Sequence, residues 1–134
     1  MEKIEKAYIA GIVDGEGTVT LMRHHKNETP TPYVTVANNN LPLLKWIRSR
    51  VGGLILRKKK KEPHHKDSYT WVVCQDRVLR FLKEIKQYLI IKRQQAELIT
   101  AKYKAVTNRS GRYTPKMLER KNRLVAKIRE LNQR

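Results

Sequence analysis

The chain has 134 residues, a single cysteine (Cys74), and 30 Lys+Arg against 12 Asp+Glu, for a formal charge of +18. That length predicts one domain, residues 1–134, with a real core but no room for a second, and the charge predicts a polyanionic partner, most simply nucleic acid, without telling DNA from RNA. One cysteine excludes an intramolecular disulfide and a cysteine-based zinc site, and the lack of a signal core, a transit-type segment or a long apolar run predicts an intracellular, non-secreted protein with access to nucleic acid.

Glu2 to Asp14 predicts a helix, in which good helix formers lead into Tyr8, Ile9, Ile12 and Val13, and Gly15 is placed for a left-handed turn past its end. Glu16 then projects from the helix terminus just before a strand that begins at Thr18. Gly11 and Gly15, with Ala10 beside the first, leave one face nearly bare of side chains, so a second backbone can approach closely. Membrane helices use such faces, but Asp14, Glu16 and the charged start exclude a span here.

Residues Gly17 to Lys26 alternate, with Val19 and Leu21 on one side and Thr18, Thr20, Met22 and His24 on the other, which predicts a half-buried strand. A turn at 27–32 leads to a second strand from Tyr33 to Ala37, with Val34 and Val36 opposed to Tyr33 and Thr35. Asn38, Asn39 and Asn40 offer caps for a helix from Leu41 to Val51, Asn40 being best placed, and Gly52-Gly53 stops it. A third strand, Leu54 to Lys61, and a fourth, Ser68 to Gln75, form a second hairpin. Leu54 and Leu56 leave the register of the third ambiguous, so Arg57, Lys58, Lys59, Lys60 and Lys61 divide between base and phosphate contacts either way.

Asp76 is a cap candidate for a helix carrying Val78, Leu79, Leu82, Ile85 and Leu89 at helical spacing, followed by another from Lys92 to Val106. After a loop at 107–113, Thr114 as N-cap and Pro115 at N1 start a last helix with Leu118, Leu124, Val125, Ile128 and Leu131 on its stripe.

The resulting order is α-β-β-α-β-β-α-α, an α+β chain with a four-stranded antiparallel sheet, helices on one face and the other face open. That open face is predicted to carry Thr20, Met22, His24, Lys26, Tyr33 and Thr35, joined by Arg57, Lys58 and Lys60. Hydroxyls, a thioether, imidazole, phenol and cations can read base edges in a major groove, while lysines and arginines hold phosphates. The pairs His24-His25 and His64-His65 lack the spacing of a tetrahedral metal site, so solvent or phosphate contact is the reading for them.

The stretch from Ile9 to Gly17 resembles the motif for which the LAGLIDADG homing endonucleases are named. Ile9 stands for the first leucine, Ile12-Val13 for the apolar pair and Glu16 for the second acid; the departures are Gly15 for alanine and Glu16 for aspartate. The element order is also that expected of this family, so the resemblance reaches nearly the whole chain. It implies a homodimeric, single-motif, site-specific endonuclease that binds a long pseudo-palindromic double-stranded DNA site. Such an enzyme hydrolyses one phosphodiester in each strand with Mg²⁺ or Mn²⁺ and leaves 3′ overhangs, and its gene is carried by a mobile intron or intein.

By the same resemblance the motif helices pair through Ile9, Ala10, Gly11, Ile12, Asp14 and Gly15. Glu16 binds metal with the Gly15 carbonyl as a second ligand, Lys92 in Ile90–Ala96 is the basic catalytic residue, and Asn38 is the polar residue that orders water. Phosphodiester hydrolysis needs an attacking water, charge neutralisation and leaving-group stabilisation, which divalent metals held by hard oxygen ligands can supply. One Glu16 per chain is thin, whereas two chains bring two carboxylates together. The rival readings are a non-catalytic protein of the same fold, either an RNA maturase or a DNA-binding regulator, and a basic ribosomal or nucleoid-type protein, whose weak point is the motif.

Overall fold

The computed structural model describes residues 1–58, 62–64 and 67–133. Among these, β1 (Gly17–Met22), β2 (Thr31–Asn38), β3 (Leu54–Lys58) and β4 (Ser68–Cys74) form one antiparallel sheet in the order β1-β2-β4-β3. Each hairpin pairs within itself, and β2 joins β4 across the middle. Around the sheet run α1 (Lys3–Glu16), α2 (Leu41–Val51), α3 (Asp76–Ile85), α4 (Arg93–Lys102) and α5 (Pro115–Asn132). The α+β architecture expected from the alternation is the one observed, but three helices, α3, α4 and α5, follow the second hairpin where the order α-β-β-α-β-β-α-α has two.

The pleat divides the sheet into two chemically different faces. Val19 and Leu21 on β1, Val34 and Val36 on β2, and Trp71 and Val73 on β4 share one parity and are buried. They meet Ile9, Ala10 and Val13 of α1, Leu44 and Ile47 of α2, Val78, Leu82 and Ile85 of α3, Ile99 of α4 and Ile128 of α5 in one continuous core. Trp71 fixes the centre. Its indole N–H donates to the Gly52 carbonyl at 2.7 Å and its ring meets Phe81 edge-on, so a large buried aromatic keeps its one polar group satisfied.

Helix ends follow their local chemistry. The Asn40 side chain accepts the Leu43 N–H at 3.1 Å and Thr114 accepts the Met117 N–H at 3.2 Å, each satisfying a donor that the first turn leaves unpaired. Gly52 and Gly53, at φ 90° and 96°, carry the chain from α2 into β3 in the left-handed region. At the start of α3 the capping position is Gln75, at φ 58°, and Asp76 lies inside the first turn instead.

Several boundaries differ from the sequence reading. The first helix runs through Glu16, so Gly15 is helical and no left-handed turn occurs there; Gly17 is extended at φ −97°. β1 stops at Met22 rather than Lys26, because Leu21 faces Pro32 and the residue beyond Thr31 is Pro30, and neither proline has an N–H for the ladder. α3 ends at Ile85 and passes through a 3-10 turn, Lys86–Tyr88, before Leu89 turns extended. The pull comes from α1, whose Asp14 captures the next backbone N–H, that of Ile90. Among the described residues no helix is long and apolar enough to cross a membrane.

Candidate nucleic-acid interface and acidic site

Glu16 is the last residue of α1, and the sheet begins one residue later. Gly17 makes that junction possible. A Cβ there would lie 2.9 Å from Val13 Cα and 3.0 Å from the Thr35 carbonyl oxygen, so the helix can sit this close to β2 only without a side chain. Held on this short lever, the exposed Glu16 carboxylate accepts a 2.5 Å hydrogen bond from the Asn38 side-chain amide. Asn38 ends β2, and its own side-chain oxygen accepts the Asn40 N–H at 2.8 Å. Both ends of the Asn38 amide are thus engaged, and the group it orients is Glu16.

Lys92 arrives from the far side of the chain. Its Nζ donates to the Asp14 carbonyl at 2.7 Å, and its backbone N–H donates to the Asp14 carboxylate at 3.0 Å, as does that of Ile90 at 2.7 Å. A lysine at the start of α4 stands at the wrong end of that helix dipole. Here it is also at the C-terminal end of α1, where a cation is favourable, while the Asp14 carboxylate sits at the N-terminal end of α4, where an anion is favourable. Glu16, Asn38 and Lys92, distant in sequence, are brought together at one end of α1.

The helix that carries them shows an outer face of Ile4, Ala7, Tyr8, Gly11 and Gly15, all exposed. Ile4 is 81% and Tyr8 55% exposed, and a Cβ added at Gly11 or Gly15 would meet nothing within 4 Å. Ile9 and Ala10, expected on an interface, are instead fully buried within the chain, because the 3.6-residue period that exposes Gly11 turns them with Val13 onto the sheet. Asp14 is also taken, by the backbone at 90–92, and Ile12 is half-buried. Ile4 and Tyr8 share one helical stripe with Gly11 and Gly15, a spacing that the sequence carries. Ile90 and Ile91, 84% and 68% exposed, flank the same end of α1 beside Lys92.

On the open sheet face the pleat places Thr18, Thr20 and Met22 of β1, Thr31, Tyr33 and Thr35 of β2, Ser68, Thr70, Val72 and Cys74 of β4, and Leu54, Leu56 and Lys58 of β3. Thr20, Met22 and Thr35 lie where the alternation predicts, and Lys58, whose face the sequence left open, lies with them. Tyr33 has the expected parity but is buried: His24 covers it, with Nδ1 2.6 Å from the phenol oxygen and the rings stacked at 6.3 Å, and burial pushes the phenol pKa up. His24 and Lys26 are exposed but belong to the bend and turn after β1, not to the strand. Arg57 falls on the other parity, with Ile55, and forms a 2.7 Å ion pair with Asp67, just before β4. Lys60, like Lys59, Lys61 and His65, lies outside the described residues.

Away from this face, Lys121 of α5 is fully buried. Its ammonium donates to Thr29 at 2.8 Å and to the Tyr113 hydroxyl at 3.1 Å, and lies over the rings of Tyr103 and Tyr113. Burial alone would raise the Tyr113 phenol pKa, but the hydrogen bonds of Thr29 and Lys121 outweigh it and hold the phenol below its ordinary value.

Among solved structures, the fold is similar to that of the homing endonuclease I-CvuI in complex with its Sro1.3 target in the presence of 2 mM Ca, at TM-score 0.76 and 22% identity over 96% of this chain and 82% of that one. The archaeal intron-encoded homing endonuclease I-Vdi141I complexed with DNA matches at TM-score 0.76 and 19% identity, over 98% of this chain and 86% of that one. I-SmaMI bound to an uncleaved DNA target with calcium matches at TM-score 0.55 and 18% identity, with 93% of this chain laid on 45% of that one. No curated protein matches the chain in sequence. The family model described as the LAGLIDADG-like domain matches residues 3–86, from the glycine-faced helix through both hairpins to the end of α3, and the chain belongs to that family.

Proposed function

We propose that two copies of this chain pair through α1 to form a site-specific, divalent-metal-dependent DNA endonuclease that cuts each strand once within a long pseudo-palindromic site and leaves 3′ overhangs. The observation that carries this reading is the position of Glu16: an exposed carboxylate, oriented by Asn38, at the end of a helix face with no side chain at Gly11 or Gly15. Pairing of that face with its copy would bring two such carboxylates to the two-fold axis between two open sheets. Ile4, Tyr8, Ile90 and Ile91, exposed around it, supply the apolar area that a stable pairing needs.

The donor set fits a hard cation. Among the described residues no three His, Cys, Asp or Glu side chains gather in one chain, and the Glu16 carboxylate with the Gly15 carbonyl would hold Mg²⁺ or Mn²⁺ only together with phosphate, water and the second copy. When bound, such an ion supplies a more acidic water and neutralises charge on the phosphoryl group. Glu16 holds the cation. Asn38 fixes the carboxylate, and the second N–H of its amide is left to order the attacking water. Lys92, anchored on Asp14, places a positive charge beside the phosphate that is cut, and the open sheet faces read the half-sites while lysines and arginines hold the backbone.

Incubating the protein with a random duplex library and Mg²⁺, then sequencing the cut ends, tests the proposal. Cuts at one defined sequence are expected. Binding to a defined duplex without cutting would favour a non-catalytic protein of the same fold, and binding without sequence preference would leave only a basic nucleic-acid clamp.

A further inference from the structure

The open face is not uniformly polar. Its outer strand, β3, turns Leu54 and Leu56 toward the same side as Lys58, and the two leucines are 67% and 55% exposed. Their partners on β4 are Val72 and Thr70, so the edge of the face carries a short strip, two exposed leucines beside a valine and a threonine methyl, bordered by a cation. Apolar side chains on an exposed edge strand invite wrong pairing, and a chain of net charge +18 has many alternatives to leucine at such positions. Their parity excludes a role in the core, which lies on the other face of the sheet.

The strip is continuous with the face assigned to DNA, and what it can accept there is narrow. In a major groove, base pairs present nitrogen and oxygen donors and acceptors, and the thymine 5-methyl is the one apolar group of appreciable size, far larger than the C5–H of cytosine. A leucine pressed against the polar edge of any other base would strip it of water without returning a hydrogen bond, a cost that disfavours G, C and A at that position. Against a methyl the same leucine buries apolar surface on both sides. Resting on the endonuclease reading above, we infer that Leu54 and Leu56, backed by Val72, select thymines in each half-site through their methyl groups. Because the two protomers are related by a two-fold axis, the selected thymines occur as a symmetric pair of positions.

The test first selects a binding duplex from a random library in the absence of metal, then replaces its thymines one at a time with deoxyuridine, which lacks only the methyl. Wild-type protein is expected to lose roughly three- to ten-fold in affinity at one or two positions per half-site, symmetrically placed. The double variant Leu54→Ser, Leu56→Ser, whose sites are exposed and outside the core, should bind the same duplex more weakly and no longer distinguish thymine from uracil there. A selected site whose thymines all tolerate uracil overturns this inference and leaves the endonuclease reading standing. A thymine preference that persists in the double variant overturns it too, because the methyl is then read elsewhere. A library that yields no preferred duplex removes both.

Discussion

Gly17 and Glu16 are adjacent residues under opposite constraints. A methyl at Gly17 would press on the backbone of Val13 and Thr35, neither of which can swing aside as a side chain would. Gly17→Ala is therefore expected to cost about 1–3 kcal/mol of folding stability, read as a lower urea midpoint, the usual penalty of overpacking. Glu16 is a carboxylate at the negative end of α1, whose last turn has no basic residue of its own. Neutralising it should relieve a repulsion of about 0.3–1 kcal/mol, while Gln keeps an acceptor for Asn38. Glu16→Gln is expected to raise the denaturation midpoint slightly, retain DNA binding and abolish cleavage; cleavage by the purified variant would sink the assignment of Glu16. The two readouts together separate a functional acid from a structural one, because a structural acid would lose stability on neutralisation.

Two junctions between elements carry more than their length implies. Two hydrogen bonds join Lys92 to Asp14 and a third joins Ile90 to it, tying the end of α1 to the segment that leads into α4. Asp14→Ala would remove the carboxylate acceptor of the Ile90 and Lys92 N–H groups, at about 0.5–1.5 kcal/mol each, and loosen the backbone at 90–92, so that Lys92 keeps only its Nζ bond to the residue-14 carbonyl. A fall in cleavage rate of at least ten-fold with half-site binding retained is the expected result; unchanged cleavage would show that Lys92 is not held by this latch. The turn from β4 into α3 stores strain at Gln75, whose φ of 58° and ψ of −136° suit glycine far better. Its N–H reaches the Pro32 carbonyl at 3.0 Å and so extends the β2–β4 pairing beyond Cys74. Gln75→Gly should keep that bond and gain about 1 kcal/mol, measurable by thermal or urea unfolding.

At the scale of the whole molecule the proposal depends on α1 meeting a second copy of itself. Within one chain there is open space around Gly11, and alanine or leucine favours a helix over glycine by up to about 1 kcal/mol. Gly11→Leu should therefore fold at least as well as the parent, sediment as a monomer and fail to cut. A persistent dimer would place the pairing on another surface. Net charge of +18 also predicts steep salt dependence, since each phosphate neutralised releases counterions. Half-site affinity is expected to fall by orders of magnitude between low and moderately high salt, and a flat response would count against a phosphate-bound face.

The sequence by itself determined the element order, the inward parity of the valines on β1 and β2, the caps at Asn40 and Thr114, and the family resemblance of Ile9–Gly17. All of these depend on local periodicity or on spacing within a few residues, which any chain carries in its own order. Tertiary structure decided what depends on residues far apart. It turned Ile9 and Ala10 into the core and left Ile4 and Tyr8 outside, because the phase of α1 is set by the sheet it packs on. It settled the register of β3, which two leucines left ambiguous, by pairing that strand with β4, and so put Lys58 on the open face and Arg57 on the other. It buried Tyr33 beneath His24. Above all it joined Glu16 to Asn38 across 22 residues and Asp14 to Lys92 across 78, contacts with no local signature, because closing loops of that length is the work of the assembled core and not of any segment within it.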